Sequence, residues 1–121
     1  MKDDCGNKDL RKRTMNYALR IIRMYSALPR ASAAQVIGRQ VLRSGTSVGA
    51  QYREACRSRS VAEFISKMES GLQELDETYY WLELLAEGGL VVPKRLVDLR
   101  TETNELLAIF TASVKTAKKN R

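Results

Sequence analysis

Between Ser60 and Gly89 the chain reads SVAEFISKMESGLQELDETYYWLELLAEGG. Val61, Ile65, Met68, Leu72, Leu75, Tyr79, Leu82 and Ala86 follow one another at alternating steps of four and three. A strand needs a period of two, so this stretch can only be a long helix buried along a heptad seam. Phe64, Trp81 and Leu84 lie off the seam, so more than one face is expected to be covered. Ser60-Val-Ala-Glu63 has the form of a capping box, in which side chains satisfy backbone N–H groups that the first turn leaves unpaired. Gly88-Gly89 supplies the residue type that tolerates a left-handed C-terminal cap.

A helix this long constrains its neighbours, and the rest of the chain reads as three more helices. The first spans about residues 10–28, with Leu10, Thr14, Tyr17, Ile21, Met24 and Leu28 on one stripe, widened by Ala18, Ile22 and Tyr25. Asp9 is its expected N-cap and Pro29 ends it. Ser32-Ala-Ala-Gln35 repeats the capping-box pattern and starts the second helix. The fourth begins near Pro93 and carries Leu96, Leu99, Thr103, Leu106, Phe110 and Ser113, flanked by Leu107, Ile109 and Val114. Helices two and three would each run ~26 residues, or ~39 Å. Long amphipathic helices with short links give an all-α fold, an antiparallel up-down four-helix bundle.

The second helix holds the least ordinary stretch, RSGTSVGAQYREACR from Arg43 to Arg57. A Walker-type phosphate loop is excluded, because Gly49 is followed by Ala50 and Gln51 and no strand precedes it. Nor do the glycines break the helix. At 100° per residue Ile37, Val41, Val48, Tyr52 and Ala55 keep phase on one face across them. Gly38, Gly45, Gly49 and Cys56 flank that face as a ridge of small residues for close helix packing, within the bundle or between subunits. Ser44, Thr46 and Ser47 are expected to bond back to the preceding turn.

Opposite the core lie Arg39, Arg43, Arg53 and Arg57, and on helix one Arg13, Arg20 and Arg23 share a face. Guanidinium groups along a helix can follow a nucleic-acid backbone through its phosphates. They can equally pair with the acidic third helix, where Glu63, Glu69, Glu74, Asp76, Glu77, Glu83 and Glu87 meet a single basic residue, Lys67. Both readings stand. The net charge of +7 is concentrated in residues 1–60, which carry 13 Lys/Arg against 4 Asp/Glu. Tyr79, Tyr80 and Trp81 are expected to pack in a core or interface.

There is no histidine, which excludes a Cys–His pair, a Ser–His–Asp triad and a Glu-x-x-His di-iron bundle. No enzyme activity, cofactor or metal ion is expected. The 121 residues suit a single domain, 1–121, with residues 1–8 as a flexible N-terminal tail. No apolar run approaches the ~18 residues of a membrane span, and the N-terminus lacks a secretory apolar core, so a cytoplasmic location is expected. Cys5 and Cys56 form no CxxC and are expected as free thiols in a reducing compartment.

The segments RQVLRSGTSVGAQYREACRSRS, AEFISKM, ETYYWLELL and LLAIFTASVKTAKKN, with ALPR before helix two, resemble the four-helix-bundle proteins encoded in intervening sequences of bacterial 23S rRNA genes. The resemblance spans about residues 17–120. It departs at Gln51, where the family has Asn, and around Glu69–Gly71, which is more polar. It implies a ring-like homo-oligomer, a pentamer. A distant relative, the accessory protein of diversity-generating retroelements, implies a basic barrel working with a reverse transcriptase and its RNA. Two expectations follow. One is a non-catalytic RNA- or DNA-binding protein, RNA favoured, using Arg39, Arg43, Arg53, Arg57, Arg20 and Arg23. The other is an oligomeric protein-interaction scaffold whose arginines are spent on the third helix.

Overall fold

Pro29, Ser60, the Gly88–Gly89 pair and Pro93 punctuate the chain into helices. The computed structural model describes Cys5 and residues 8–121. Its helices are α1 (Lys8–Ser26), α2 (Ser32–Cys56), α3 (Val61–Glu87) and α4 (Val97–Asn120), with a 3₁₀ turn at Pro93–Leu96 leading into α4. There is no strand among the described residues. The fold is therefore all-α, and α2 runs unbroken through both glycines of the SGTSVGA stretch. Side chains from all four helices share one core.

Local chemistry sets the ends. At α3 the Ser60 hydroxyl accepts from the Glu63 backbone N–H at 3.1 Å, as a capping residue should. The return bond goes to the Arg59 N–H, at 3.4 Å from Glu63 Oε2. At α2 the expected box does not form. Ala31 is the N-cap with no side-chain bond, and Gln35 instead donates its side-chain amide to the Pro29 carbonyl at 2.8 Å. Asp9 lies inside the first turn of α1, which starts at Lys8. Gly89 takes φ of 71°, and the Leu90 N–H reaches back to the Leu85 carbonyl at 3.0 Å, closing α3 as a Schellman turn.

Packing keeps Met68, Leu75 and Leu82 of the expected α3 seam and moves the alternate positions back by one residue. The buried heptad line is Phe64, Met68, Gly71, Leu75, Thr78, Leu82 and Leu85, with Ile65 and Ala86 beside it. Val61, Leu72 and Tyr79 are only half-buried. Gly71 and Thr78 are not apolar, so hydrophobic periodicity passes over them. They belong in the core for two other reasons. A Cβ on Gly71 would come within 2.6 Å of the Phe110 ring. The Thr78 hydroxyl is satisfied by Ser44 Oγ at 2.7 Å and the Glu74 carbonyl at 2.7 Å. The α4 stripe is buried as expected, from Leu96 through Ser113, with Ala117 added. On α1 Leu10, Thr14, Tyr17 and Ile21 are buried, whereas Ile22 is exposed.

The small ridge of α2 packs on α1. An added Cβ at Gly38 would strike Leu28, one at Gly45 would come within 2.8 Å of Ile21, and one at Gly49 within 3.3 Å of Thr14 Oγ1. Numbers rise along α2 as they fall along α1. The same holds for Arg43 with Glu77 and Glu54 with Lys67, and for Glu83 with Arg100 and Glu69 with Lys118. The ridge ends at Cys56, and the residue of the N-terminal segment that meets it is Cys5. The two are joined by a disulfide, a correction to the expectation of free thiols. Most of the expected flexible tail, residues 1–4, 6 and 7, lies outside the described residues. Lys8 is helical and Cys5 is covalently held.

Candidate nucleic-acid interface

Arg39, Arg43 and Arg53 of α2 and its C-cap Arg57 are not in the core, and their environments differ. Arg43 is engaged by α3: its guanidinium donates to Glu74 Oε2 at 3.1 Å and to Glu77 Oε1 at 2.7 Å. Glu74 also accepts from the Ser47 hydroxyl, so this carboxylate ties two turns of α2 to α3. Arg39 and Arg57 are exposed, and neither has an ion pair within 4.0 Å among the described residues. Arg53 is half-buried, and its nearest polar contact is the Met15 sulfur at 3.9 Å. The charge match with the acidic helix is thus real at one arginine of four.

Other cations serve Glu69 and Glu83 of α3. Lys118 meets Glu69 at 3.2 Å, and Arg100 lies 3.9 Å from Glu83 while its guanidinium stacks 5.2 Å above the Tyr79 ring. Lys67 pairs with Glu54 of α2 at 2.8 Å, and that carboxylate raises the ammonium pKa. Tyr80 and Trp81 touch ring to ring, and Tyr80 is 52 % exposed, so the aromatic cluster is only partly in the core.

Helix one does not simply extend the stripe. Arg13 is taken up by α4, donating to both Glu102 oxygens at 2.7 Å and to Glu105 at 2.7 Å. The bond to Glu102 is the main reason that the Arg13 pKa is raised. Arg20 is half-buried and its charge also acts on Glu102. Arg23 is exposed at the opposite end, beside an apolar hollow of about 520 Å³ shared with Leu28, Val92 and Arg95.

The α1 residue that does join the α2 arginines is Arg11. With Arg53, Arg57, Tyr52, Cys5 and Cys56 it lines a hollow of about 220 Å³ at the C-terminal end of α2. Helical phase does not reveal this grouping, because Cys5 lies ahead of the expected start of helix one near Leu10. The signal was present in the register: small residues at 38, 45, 49 and 56 call for partners on α1 at steadily lower numbers.

Among the described residues no group of three or more His, Cys, Asp or Glu could hold a metal ion, and no helix is long and apolar enough to cross a membrane.

Comparison with known proteins gives two findings. Residues 7–112 match the family model described as 23S rRNA-intervening sequence protein. The fold is similar to a crystal structure, solved at 1.70 Å, of a protein with unknown function from the S23 ribosomal protein family of Bacteroides thetaiotaomicron VPI-5482. That chain is 33% identical, the match covers 87% of this chain and 97% of that one, and the TM-score is 0.81. No curated protein matches.

Proposed function

Because the chain belongs to the 23S rRNA-intervening sequence protein family, we propose that it is a non-catalytic nucleic-acid-binding protein. In this reading an antiparallel up-down four-helix bundle assembles into a ring-like homo-oligomer and grips RNA through the free arginines of α2. The observation that carries it is the state of the stripe: Arg39, Arg53 and Arg57 make no ion pair among the described residues, while the acids of α3 draw on Arg43, Arg100 and Lys118. Unpaired guanidinium groups on a rigid helix can bind phosphates without first breaking an internal bridge. Self-association is supported by an apolar stripe on the outer face of α1. Met15, Leu19 and Ile22, at steps of four and three, are 48 %, 42 % and 43 % exposed. Tyr80 and Val97, on other helices, are exposed as well.

The test is anisotropy of a labelled single-stranded RNA at low salt, with light scattering to give the assembled mass. Replacing Arg39, Arg53 and Arg57 by Ala should leave the helical signal intact, weaken binding and lower the salt slope by about one per lost phosphate contact. Absence of RNA binding by the unsubstituted protein would end this reading. The scaffold alternative draws support from Arg43 alone, and in it charge reversal at Arg53 or Arg57 would break the assembly.

A further inference from the structure

The geometry points to a redox-operated clasp, Cys5–Cys56, that closes a phosphate-binding hollow built from Arg11, Arg53 and Arg57. The inference rests on the nucleic-acid reading above and names a site and a control within it.

Three observations converge. First, the bridge joins residues 51 apart in sequence and ties the segment before α1 to the last residue of α2. Second, both half-cystines line the same hollow as the three arginines, so Cys5 is a wall of the site and not merely near it. Third, none of the three arginines has an ion pair within 4.0 Å among the described residues, although Glu54 is on the same turn of α2 as Arg53 and Arg57. Glu54 is occupied by Lys67. The three side chains bring positive charge to the rim of one small concavity, with Arg53 also touching the Met15 sulfur and Arg57 also lining a second hollow beside Glu54 and Glu63. Tyr52 completes the wall. With Cys5 in place the hollow is partly enclosed, and charge–phosphate interactions gain from the loss of competing water.

Both half-cystines are only half-buried, so oxidant and reductant can reach them. Adjacent cationic groups favour the thiolate that carries thiol chemistry. Closing by a peroxide balances simply. One thiolate attacks the O–O bond, becoming a sulfenic acid and releasing hydroxide, which takes up the proton that the thiol lost and becomes water. The second thiolate attacks that sulfur, forms the S–S bond and expels hydroxide, which takes a proton to become water. Two thiols and one hydrogen peroxide thus give one disulfide and two waters. A dithiol reductant reverses the step by exchange through a mixed disulfide. Opening frees Cys5 from α2 and removes one wall of the site, leaving the arginines to bind phosphate singly.

The experiment compares peroxide-treated protein, dithiothreitol-treated protein and the Cys5→Ser variant. Intact mass should show the loss of two hydrogens on oxidation, with both cysteines protected from alkylation. Calorimetric titration with inorganic tripolyphosphate should give the oxidised form roughly tenfold tighter binding than the other two, the order expected for one lost charge-assisted contact. Arg11→Ala should remove the difference. Labelled RNA, titrated in parallel, separates the two readings. If oxidised protein favours tripolyphosphate but no form binds RNA, the clasp stands and the nucleic-acid reading falls. If RNA and tripolyphosphate bind equally well before and after oxidation, the clasp is overturned and the nucleic-acid reading stands. Cysteines that stay alkylatable after peroxide, or no tripolyphosphate binding by any form, also overturn the clasp.

Discussion

Gly38 and Gly45 are the same residue on the same ridge, yet their neighbours make them unequal. Around Gly45 three atoms of the Ile21 side chain lie within 3.1 Å of where a Cβ would sit, and Ile21 is fully buried. A β-branched, enclosed side chain has no other rotamer to adopt. At Gly38 the atoms in the way are the tip of Leu28, a half-buried residue in the link after α1 that can swing aside, and the edge of the Tyr25 ring at 3.1 Å. Alanine in place of either glycine gains ~1 kcal/mol of helix propensity. Overpacking at Gly45 costs about 1–3 kcal/mol. Gly45→Ala should therefore lower stability in urea unfolding, while Gly38→Ala should be neutral or slightly stabilising. Equal midpoints for the two would contradict the steric account. The spacing of the glycines made the ridge readable from sequence, but the partner across it was not. The same blindness shifted the α3 seam, since a glycine and a threonine count as gaps in a hydropathy pattern even when one admits a phenyl ring and the other is hydrogen-bonded in the core.

Helices pair unequally. Chain-adjacent helices meet along apolar and small faces, whereas α1 meets α4 mainly through polar groups: Arg13 with Glu102 and Glu105, and the Tyr17 hydroxyl with Thr103 at 2.7 Å. Burial pushes the Tyr17 pKa up to about 12, so its phenol stays a neutral hydrogen-bonding partner across the physiological range. The Glu102 carboxyl is held below the usual range, first by the Arg13 hydrogen bond. A carboxylate depressed in the folded state contributes stability above its unfolded pKa of about 4.3 and loses it as pH falls through the lower folded value. Melting temperature should thus drop on acidification below about pH 4, and Glu102→Gln should flatten that part of the profile. An unchanged profile in the variant would detach the effect from this seam. Tyr17 and Thr103 stand on the expected core stripes, and both are buried. The pairing of Arg13 with α4 is not legible in the sequence, because helical phase cannot say which neighbour a face will meet.

At the scale of the molecule, four helices, their order and the continuity of α2 were all legible, because long periodic runs with capping and proline punctuation leave few alternatives. The fate of each arginine was not, since pairing depends on which carboxylates the register brings within reach. The disulfide was hidden for a related reason: two cysteines 51 apart declare themselves only once α1 and α2 are aligned. A bridge closing a loop of this length is worth about 4 kcal/mol in the chain-entropy picture. Reduction should accordingly lower the urea midpoint substantially, and the same midpoint with and without reductant would mean that the bridge constrains little. The helix pairings have a further consequence for how the molecule comes into being. Each helix lies chiefly against the one made just before it, so most contacts join segments close in sequence. Chains of that kind fold quickly, because little loop entropy is lost before contacts form. On a ribosome each new helix emerges beside a surface already formed, and the Arg13–Glu102 closure has to wait for α4.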